Sequence, residues 1–333
     1  MRYVIYGAGG IGGTIGARLH QAGFDVVLIA RGAHFEAMSR NGLRFRCPGG
    51  TFSLDIPVVS HPRDADLSTD DIIMMTMKSQ HMLPALNELA ALGAHSVPIV
   101  CCQNGVSNEF EALRRFRQVY AMVVMLPATH MTPGEVVHEA EGAGGILDAG
   151  CFPSGVDECI TQVAAALRQA DFSAVADPVT MRWKYAKLLL NLTNAVQAAV
   201  GLDADATPIM RQVRREALAC YAAAGIDCAT RDEVAQRHKG VVHSGEVEGH
   251  ERGGGSSWQS LIRSTGDIEA DFLNGEITWL GRLHGVPTPA NDCIGHLANY
   301  MARNHLAPGH YSIADIECFI EDPASVPSEI GPH

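Results

Sequence analysis

The sequence predicts a two-domain protein, an α/β domain built on a parallel sheet followed by an all-helical domain. Three observations carry this. The chain opens with "RYVIYGAGGIGGTIGARLHQAGFDVVLIA", a strand, a glycine turn, a helix and a second strand in close order. Alternating strand and helix signals then continue to about residue 176, and beyond Pro178 long helical patterns take over with few strand signals. The expected domains are residues 1–178 and 179–333.

Composition narrows the class. The chain has 333 residues, 47% of them hydrophobic, enough to bury a sizeable core in each of two domains. A formal net charge of -12 argues against a general nucleic-acid or anionic-membrane binder, while leaving room for one local basic pocket. None of the nine cysteines lies in a C-x-x-C pair, and Cys101-Cys102 sit inside an apolar run, so reduced core thiols are expected. The apolar start at Tyr3 is cut short by glycines and reads as neither a signal peptide nor a membrane span, which makes a cytoplasmic location the default. The 15 histidines include no compact ligand set such as H-E-x-x-H, and no metal is expected. The Pro-rich last ten or so residues are expected to be mobile.

In the first element, residues 2–6 are rich in β-formers and stop at Gly7, a helical run covers 11–22, and 26–30 reads as a buried strand. Gly7, Gly9 and Gly12 thus occupy the β-α-β setting of a dinucleotide-binding, Rossmann-type G-x-G-x-x-G. The first permits a tight turn, the second lets backbone N–H groups approach a pyrophosphate, and the third lets the helix pack closely. Gly10 is counted with them as cofactor-binding, and the N-terminus of the helix that follows would face the anion.

The second strand ends in Leu28-Ile29-Ala30-Arg31, where an NAD-selective protein usually places a carboxylate for the ribose 2′-hydroxyl. That stretch contains none, and Asp25 lies at the other end of the strand. A guanidinium there suits a 2′-phosphate, so NADPH/NADP+ is expected over NADH, the alternative being Arg31 as a solvated surface charge.

"DDIIMMTMKSQ", a helix over 81–92 and "VPIVCCQNGV" continue the alternation. Lys78 and Asn104 fall just past the carboxyl ends of these two strands, the edge at which open α/β sheets bind ligands. Lys78 can meet a phosphate or ribose and Asn104 a substrate or nicotinamide; a surface lysine and an Asn-Gly turn are the plainer alternatives. Between 119 and 148 a hairpin or two are expected on the parallel sheet, with a helix over about 156–170 and a short strand near 173–176 closing the domain.

In the helical half, "MRWKYAKLLLNLTNAVQAAVG" places Trp183, Lys187, Asn191 and Asn194 at i, i+4, i+8 and i+11, a polar stripe on an apolar helix. A buried lysine without partners is costly, so the stripe is expected to line a cleft; an ordinary solvent-facing side is the alternative. "ERGGGSSWQSL" reads as a flexible approach to a serine-capped helix whose N–H groups and hydroxyls can receive a carboxylate, which makes Ser257 a candidate. Glu269 lies twelve residues on, about 18 Å along an unbroken helix. Either Gly266 breaks that helix or the two residues serve different tasks, and Glu269 is also compatible with a surface position. The polar stretch 231–255 is expected as a lid.

Taken in order, the N-terminal glycines, "IARG", "MKSQ", "QNGV", "PGEVVH", "WKYAKLLLN", "SSWQSL" and "IEADFLNGEI…HGVPTP" resemble the ketopantoate reductase (2-dehydropantoate 2-reductase) family over residues 1 to about 295. The resemblance implies a Rossmann domain, a helical domain like that of the 6-phosphogluconate dehydrogenase superfamily, and NADPH-dependent reduction of a 2-oxo acid in pantothenate biosynthesis. It matches Lys187 to the catalytic lysine, Asn191 to a substrate-binding asparagine, and Asn104 to the asparagine between cofactor and substrate. Lys78 corresponds to the cofactor-contacting lysine, Ser257 to the serine holding the substrate carboxylate, and Glu269 to the active-site glutamate.

The departures fall on the substrate side. Ala195 stands where a second asparagine is common, with Asn194 one place early, and Trp-Gln-Ser follows Ser257. They leave open a related 2-oxo or 3-hydroxy acid dehydrogenase with another substrate. A non-catalytic NADPH-binding sensor is the remoter alternative. The expected partner is a small 2-oxo acid, with no nucleic acid or membrane; a homodimer is compatible with the sequence, which does not specify the oligomeric state.

Overall fold

A computed structural model describes residues 1–142, 144–250 and 253–327. The chain forms β1 (Arg2–Tyr6), α1 (Gly10–Gln21), β2 (Val26–Ile29), α2 (Gly32–Asn41), β3 (Leu43–Cys47), β4 (Gly50–Leu54), β5 (Val58–Val59) and β6 (Asp71–Met75). There follow α3 (Met82–Ala91), β7 (Ile99–Cys101), α4 (Asn108–Leu113), β8 (Val119–Met122), β9 (Ala128–Thr129), β10 (Glu135–His138), β11 (Ala140–Gly142), β12 (Ala149–Cys151) and α5 (Glu158–Gln169).

Seven strands make the main sheet in the order β12-β8-β7-β6-β1-β2-β5, parallel throughout except for β12. Alternation along β1 splits the core. Tyr3 and Ile5 join Ile15 and Leu19 of α1 and Val163 of α5 on one face, while Val4 and Tyr6 join Leu86 and Leu89 of α3 on the other. Apolar runs buried on both faces are what parallel strands require. Asp157 starts α5 by accepting a hydrogen bond from the Ile160 N–H at 2.9 Å.

The expected hairpins near 119–148 take a different form. Only β12 is added to the main sheet, whereas β9 and β10 enter a second sheet of order β4-β3-β10-β9. That sheet begins with the β3–β4 hairpin "LRFRCPGGTFSL", built on its alternation and its Pro-Gly-Gly turn. The strand expected near 173–176 reduces to isolated bridges at Ser173 and Ala176.

The chain continues as α6 (Thr180–Val200), α7 (Thr207–Ala224), α8 (Arg231–His238), β13 (Val242–Ser244), α9 (Ser256–Arg263), α10 (Asn274–His284), α11 (Pro289–Arg303) and α12 (Ile313–Glu321). Two compact units result, Met1–Lys184 with Thr230–Glu251, and Tyr185–Ala229 with Arg252–His333. The division falls inside α6, between Lys184 and Tyr185.

The stretch expected as a lid largely rejoins the first unit. β13 pairs antiparallel with β11, Arg237 grips Asp148 through bonds of 2.6 and 2.7 Å, and Arg182 holds Glu233 by two bonds of 2.8 Å. Glu251 and Arg252 lie outside the described residues.

The second unit is helical. Its core is built from residues such as Leu188 and Leu192 of α6, Val213 of α7, Ile277 of α10 and Ile294 of α11. The buried Glu216 carboxylate accepts from the Ala290 and Asn291 N–H groups at 3.0 Å each, so α7 caps the start of α11. Near the chain end, Pro323–Ser325 forms a 3-10 turn, and of the tail expected to be mobile, residues 328–333 lie outside the described residues. Among the described residues no helix is long and apolar enough to cross a membrane.

Candidate active site

The first unit carries the residues expected to hold a dinucleotide. Gly7 ends β1 at φ +106, a left-handed conformation, and a Cβ there would sit 2.7 Å from the Met77 nitrogen. At Gly12 a Cβ would run into Thr76 Oγ1 and the Gly7 carbonyl. Thr76 Oγ1 donates to the Gly7 and Tyr6 carbonyls at 2.8 and 3.0 Å, fixing the turn from the neighbouring strand's exit. His34 of α2 pins it from the other side, its Nε2 lying 2.8 Å from the Ala8 carbonyl while Nδ1 accepts from the Gly134 N–H at 2.8 Å. Burial lowers His34 to about 4, which suits a ring that must stay neutral to accept at Nδ1.

Among the described residues a Cβ at Gly9 would meet nothing within 4 Å, and no side chain caps α1. The turn is therefore closed beneath and open at Gly9, where the first-turn N–H groups of α1 suit a pyrophosphate; the residues present fit a dinucleotide.

Lys78 and Asn104 each lie three residues beyond Met75 and Cys101, which are paired in register on the adjacent parallel strands β6 and β7. Their loops are tied together. Ser79 Oγ donates to the Asn104 carbonyl at 3.3 Å, and Asn108 Nδ2 donates to Ser79 Oγ at 3.0 Å and to the Asn104 carbonyl at 3.3 Å. Beneath Asn104, the Lys184 ammonium donates to the Gln103 carbonyl at 3.1 Å and to Glu109 Oε1 at 2.5 Å, with both side chains almost wholly inside. Sequence reading missed this pair, because Lys184 sits beside the stripe and Glu109 in a short helix with no motif.

Arg31 lies two residues past the end of β2, just before α2, but it is not simply solvated. Its Nη2 donates to Glu88 Oε1 and Oε2 at 3.0 and 2.8 Å and to Tyr6 Oη at 2.9 Å. The carboxylate absent from the strand's own end is supplied by α3.

In the second unit, α6 presents Lys187 and Asn191 one turn apart, and Lys187 Nζ donates to Asn191 Oδ1 at 3.1 Å. Desolvation alone lowers the Lys187 ammonium to about 8. Asn191 is 3% exposed, and its Nδ2 has no hydrogen-bond partner among the described residues. The Asn274 amide donates to the neighbouring Leu192 carbonyl at 3.3 Å, tying α10 to this part of α6.

Ser257 Oγ is also buried without a partner among the described residues, on the first turn of α9. The cap of α9 is Gly255 rather than a serine, and Ser256 and Ser257 lie inside the helix. Asn194 Nδ2 donates to Ser256 Oγ at 3.4 Å, so Asn194 reaches the start of α9, while Ala195 is core.

The helix breaks at Ser264, which is left-handed at φ +51, and Gly266 follows at φ +80. Glu269 then begins a separate 3-10 turn, Ala270–Phe272, and is buried. Ser257 and Glu269 therefore belong to different elements. Trp183, the first member of the stripe, is taken up by Asp177, to which its Nε1 donates at 3.0 Å.

The family model described as ketopantoate reductase PanE/ApbA matches residues 3–152, and the corresponding C-terminal model matches residues 179–302. The chain is similar to the 2-dehydropantoate 2-reductase of Mesorhizobium japonicum, 28% identical over 91% of this chain and 98% of the relative. Its counterpart in Caulobacter vibrioides is 28% identical, covering 90% and 98% respectively. Among solved structures, a PanE/ApbA family ketopantoate reductase from Ralstonia eutropha superposes with a TM-score of 0.75 at 26% identity, covering 92% of this chain and 99% of the other. A D-mandelate dehydrogenase in complex with NADH and anilino(oxo)acetate shares the fold, with a TM-score of 0.77 at 21% identity and the same coverage.

Proposed function

The chain belongs to the ketopantoate reductase family, oxidoreductases acting on a CH–OH group, and from that premise we propose that it reduces a 2-oxo acid to the 2-hydroxy acid with NADPH. Ketopantoate, converted to pantoate, is the proposed substrate, in keeping with the names of its curated relatives. The observation that carries the reading is the Lys187–Asn191 pair. It puts a proton donor, lowered to about 8, beside an amide whose Nδ2 is buried and unpartnered among the described residues.

When bound, the cofactor supplies the hydride. Gly9 and Gly10, on the turn that Gly7 and Gly12 allow to close, would hold its pyrophosphate, Arg31 its 2′-phosphate, and Lys78 its phosphate or ribose. Ser257 Oγ and the first-turn N–H groups of α9 receive the substrate carboxylate. Lys187 stabilises charge building on the ketone oxygen and delivers the proton that completes the hydroxyl. Asn191 donates from Nδ2 to the same substrate, Asn104 orients it with the cofactor, and Asn194 extends the polar wall through Ser256. Glu269 acts at the same centre as a buried acid.

Another 2-oxo acid is the second reading, favoured by Ala195 lying in the core while Asn194 engages Ser256. The test follows NADPH absorbance with ketopantoate and a panel of other 2-oxo acids, repeated with NADH. Turnover of ketopantoate far above the rest supports the proposal; turnover of another acid alone transfers it to the second reading, and NADPH binding without turnover of any acid overturns both.

A further inference from the structure

Glu88 sits in contact with the one residue expected to choose between the two nicotinamide cofactors. Among the described residues the Arg31 guanidinium makes three hydrogen bonds, all through Nη2, two to the Glu88 carboxylate and one to Tyr6 Oη. Tyr6 in turn donates to Glu88 Oε2, and His61 Nε2 lies 3.9 Å from the same oxygen. The Arg31 side chain is 57% exposed and that of Glu88 30%, so the cluster is open to a ligand from solvent.

A guanidinium can take two oxygens of one phosphate along its side-on edge, Nε with Nη2, or its end-on edge, Nη1 with Nη2. Both edges include Nη2. Its two hydrogens already serve three acceptors, so a bidentate grip on a 2′-phosphate must draw Nη2 away from Glu88 and bring a second anion beside that carboxylate. A ribose 2′-hydroxyl asks for nothing of the kind. It needs an acceptor at the end of the second strand, the place to which Glu88 is brought by Arg31.

We propose that Glu88 is a specificity-determining residue. It competes with the 2′-phosphate for Arg31 Nη2 and offers its own carboxylate to a 2′-hydroxyl, so that the protein accepts NADH beside NADPH. The proposal rests on the reading of Arg31 as the 2′-phosphate ligand.

The test is equilibrium titration of NADPH and NADH, followed by reduced-nicotinamide fluorescence without any oxo acid, for the wild type, Glu88→Gln and Arg31→Ala. Glu88→Ala serves as a second variant should the glutamine variant not fold. Removing the Glu88 charge is expected to raise the ratio of NADPH to NADH affinity about 2- to 5-fold, the range set by a partly exposed ion pair. Arg31→Ala is expected to lower the ratio.

A ratio unchanged or lowered in both Glu88 variants overturns the proposal, and if Arg31→Ala still lowers it, the NADPH reading stands alone. A ratio unchanged in Arg31→Ala removes that reading and the proposal with it.

Discussion

The ammonium of Lys187 donates to the Oδ1 of Asn191 at 3.1 Å, one turn further along α6. This bond orients both groups. With Oδ1 held by the lysine, the two hydrogens of Asn191 Nδ2 face away from it, buried and unpartnered among the described residues. Replacing Lys187 with Ala is expected to lower kcat by about 10²–10⁴-fold while NADPH still binds, as for loss of a general acid. Single-turnover rates and a fluorescence titration separate the two effects.

A second expectation concerns pH. Reduction needs the protonated ammonium, and burial lowers Lys187 to about 8. The reductive kcat should be level below that value and fall as pH rises through it, while oxidation of the hydroxy acid, which needs the neutral amine, should rise through the same range. A Lys187→Arg variant with residual activity should lose this inflection, since a guanidinium stays protonated. A wild-type profile flat from pH 7 to 9.5 would exclude Lys187 as the proton donor.

Ser257 should act on binding. Its buried hydroxyl is aimed at no protein group among the described residues, and a hydrogen bond to a charged ligand is worth about 1.5–3 kcal/mol. Ser257→Ala is therefore expected to raise KM for the oxo acid about 10- to 100-fold with a smaller change in kcat. The NADPH Kd should not move.

The Lys184–Glu109 pair makes a prediction about stability. With Glu109 at 0% and Lys184 at 3% exposure, Lys184→Met strands a buried carboxylate, at a cost of about 3–5 kcal/mol. A lowered Tm is expected, recovered in large part by the double variant Lys184→Met, Glu109→Leu. A Tm unchanged in the single variant would mean that Glu109 finds another partner or a proton.

Local pattern made much of this molecule readable. β1, the glycine turn, α1 and β2 follow from a short periodic sequence, and the spacing of Lys187, Asn191 and Asn194 on α6 follows from helical geometry. What escaped depends on partners far apart in the chain. Glu88 reaches Arg31 from another helix, β3 finds β10 across the domain, and Lys184 meets Glu109 because the loop after β7 folds back beneath Asn104. Such pairings are decided by how layers stack, and no window of sequence contains both members. The cap of α9 failed differently: serine is a preferred cap, yet Gly255 takes the extended cap conformation and leaves Ser257 inside the first turn.

The return of residues 230–250 to the first unit bears on how the protein is made. A ribosome that has delivered residue 184 has produced the seven-stranded sheet, but β11 then lacks its partner β13 and Asp148 lacks Arg237. Those partners emerge only after residues 185–229 of the second unit, several seconds later at about 5–20 residues per second. During that interval the nascent first unit carries an open strand edge and an unneutralised carboxylate. Neither unit corresponds to one uninterrupted stretch of messenger RNA, so a truncation at the apparent domain boundary would yield an incomplete product rather than a separable module.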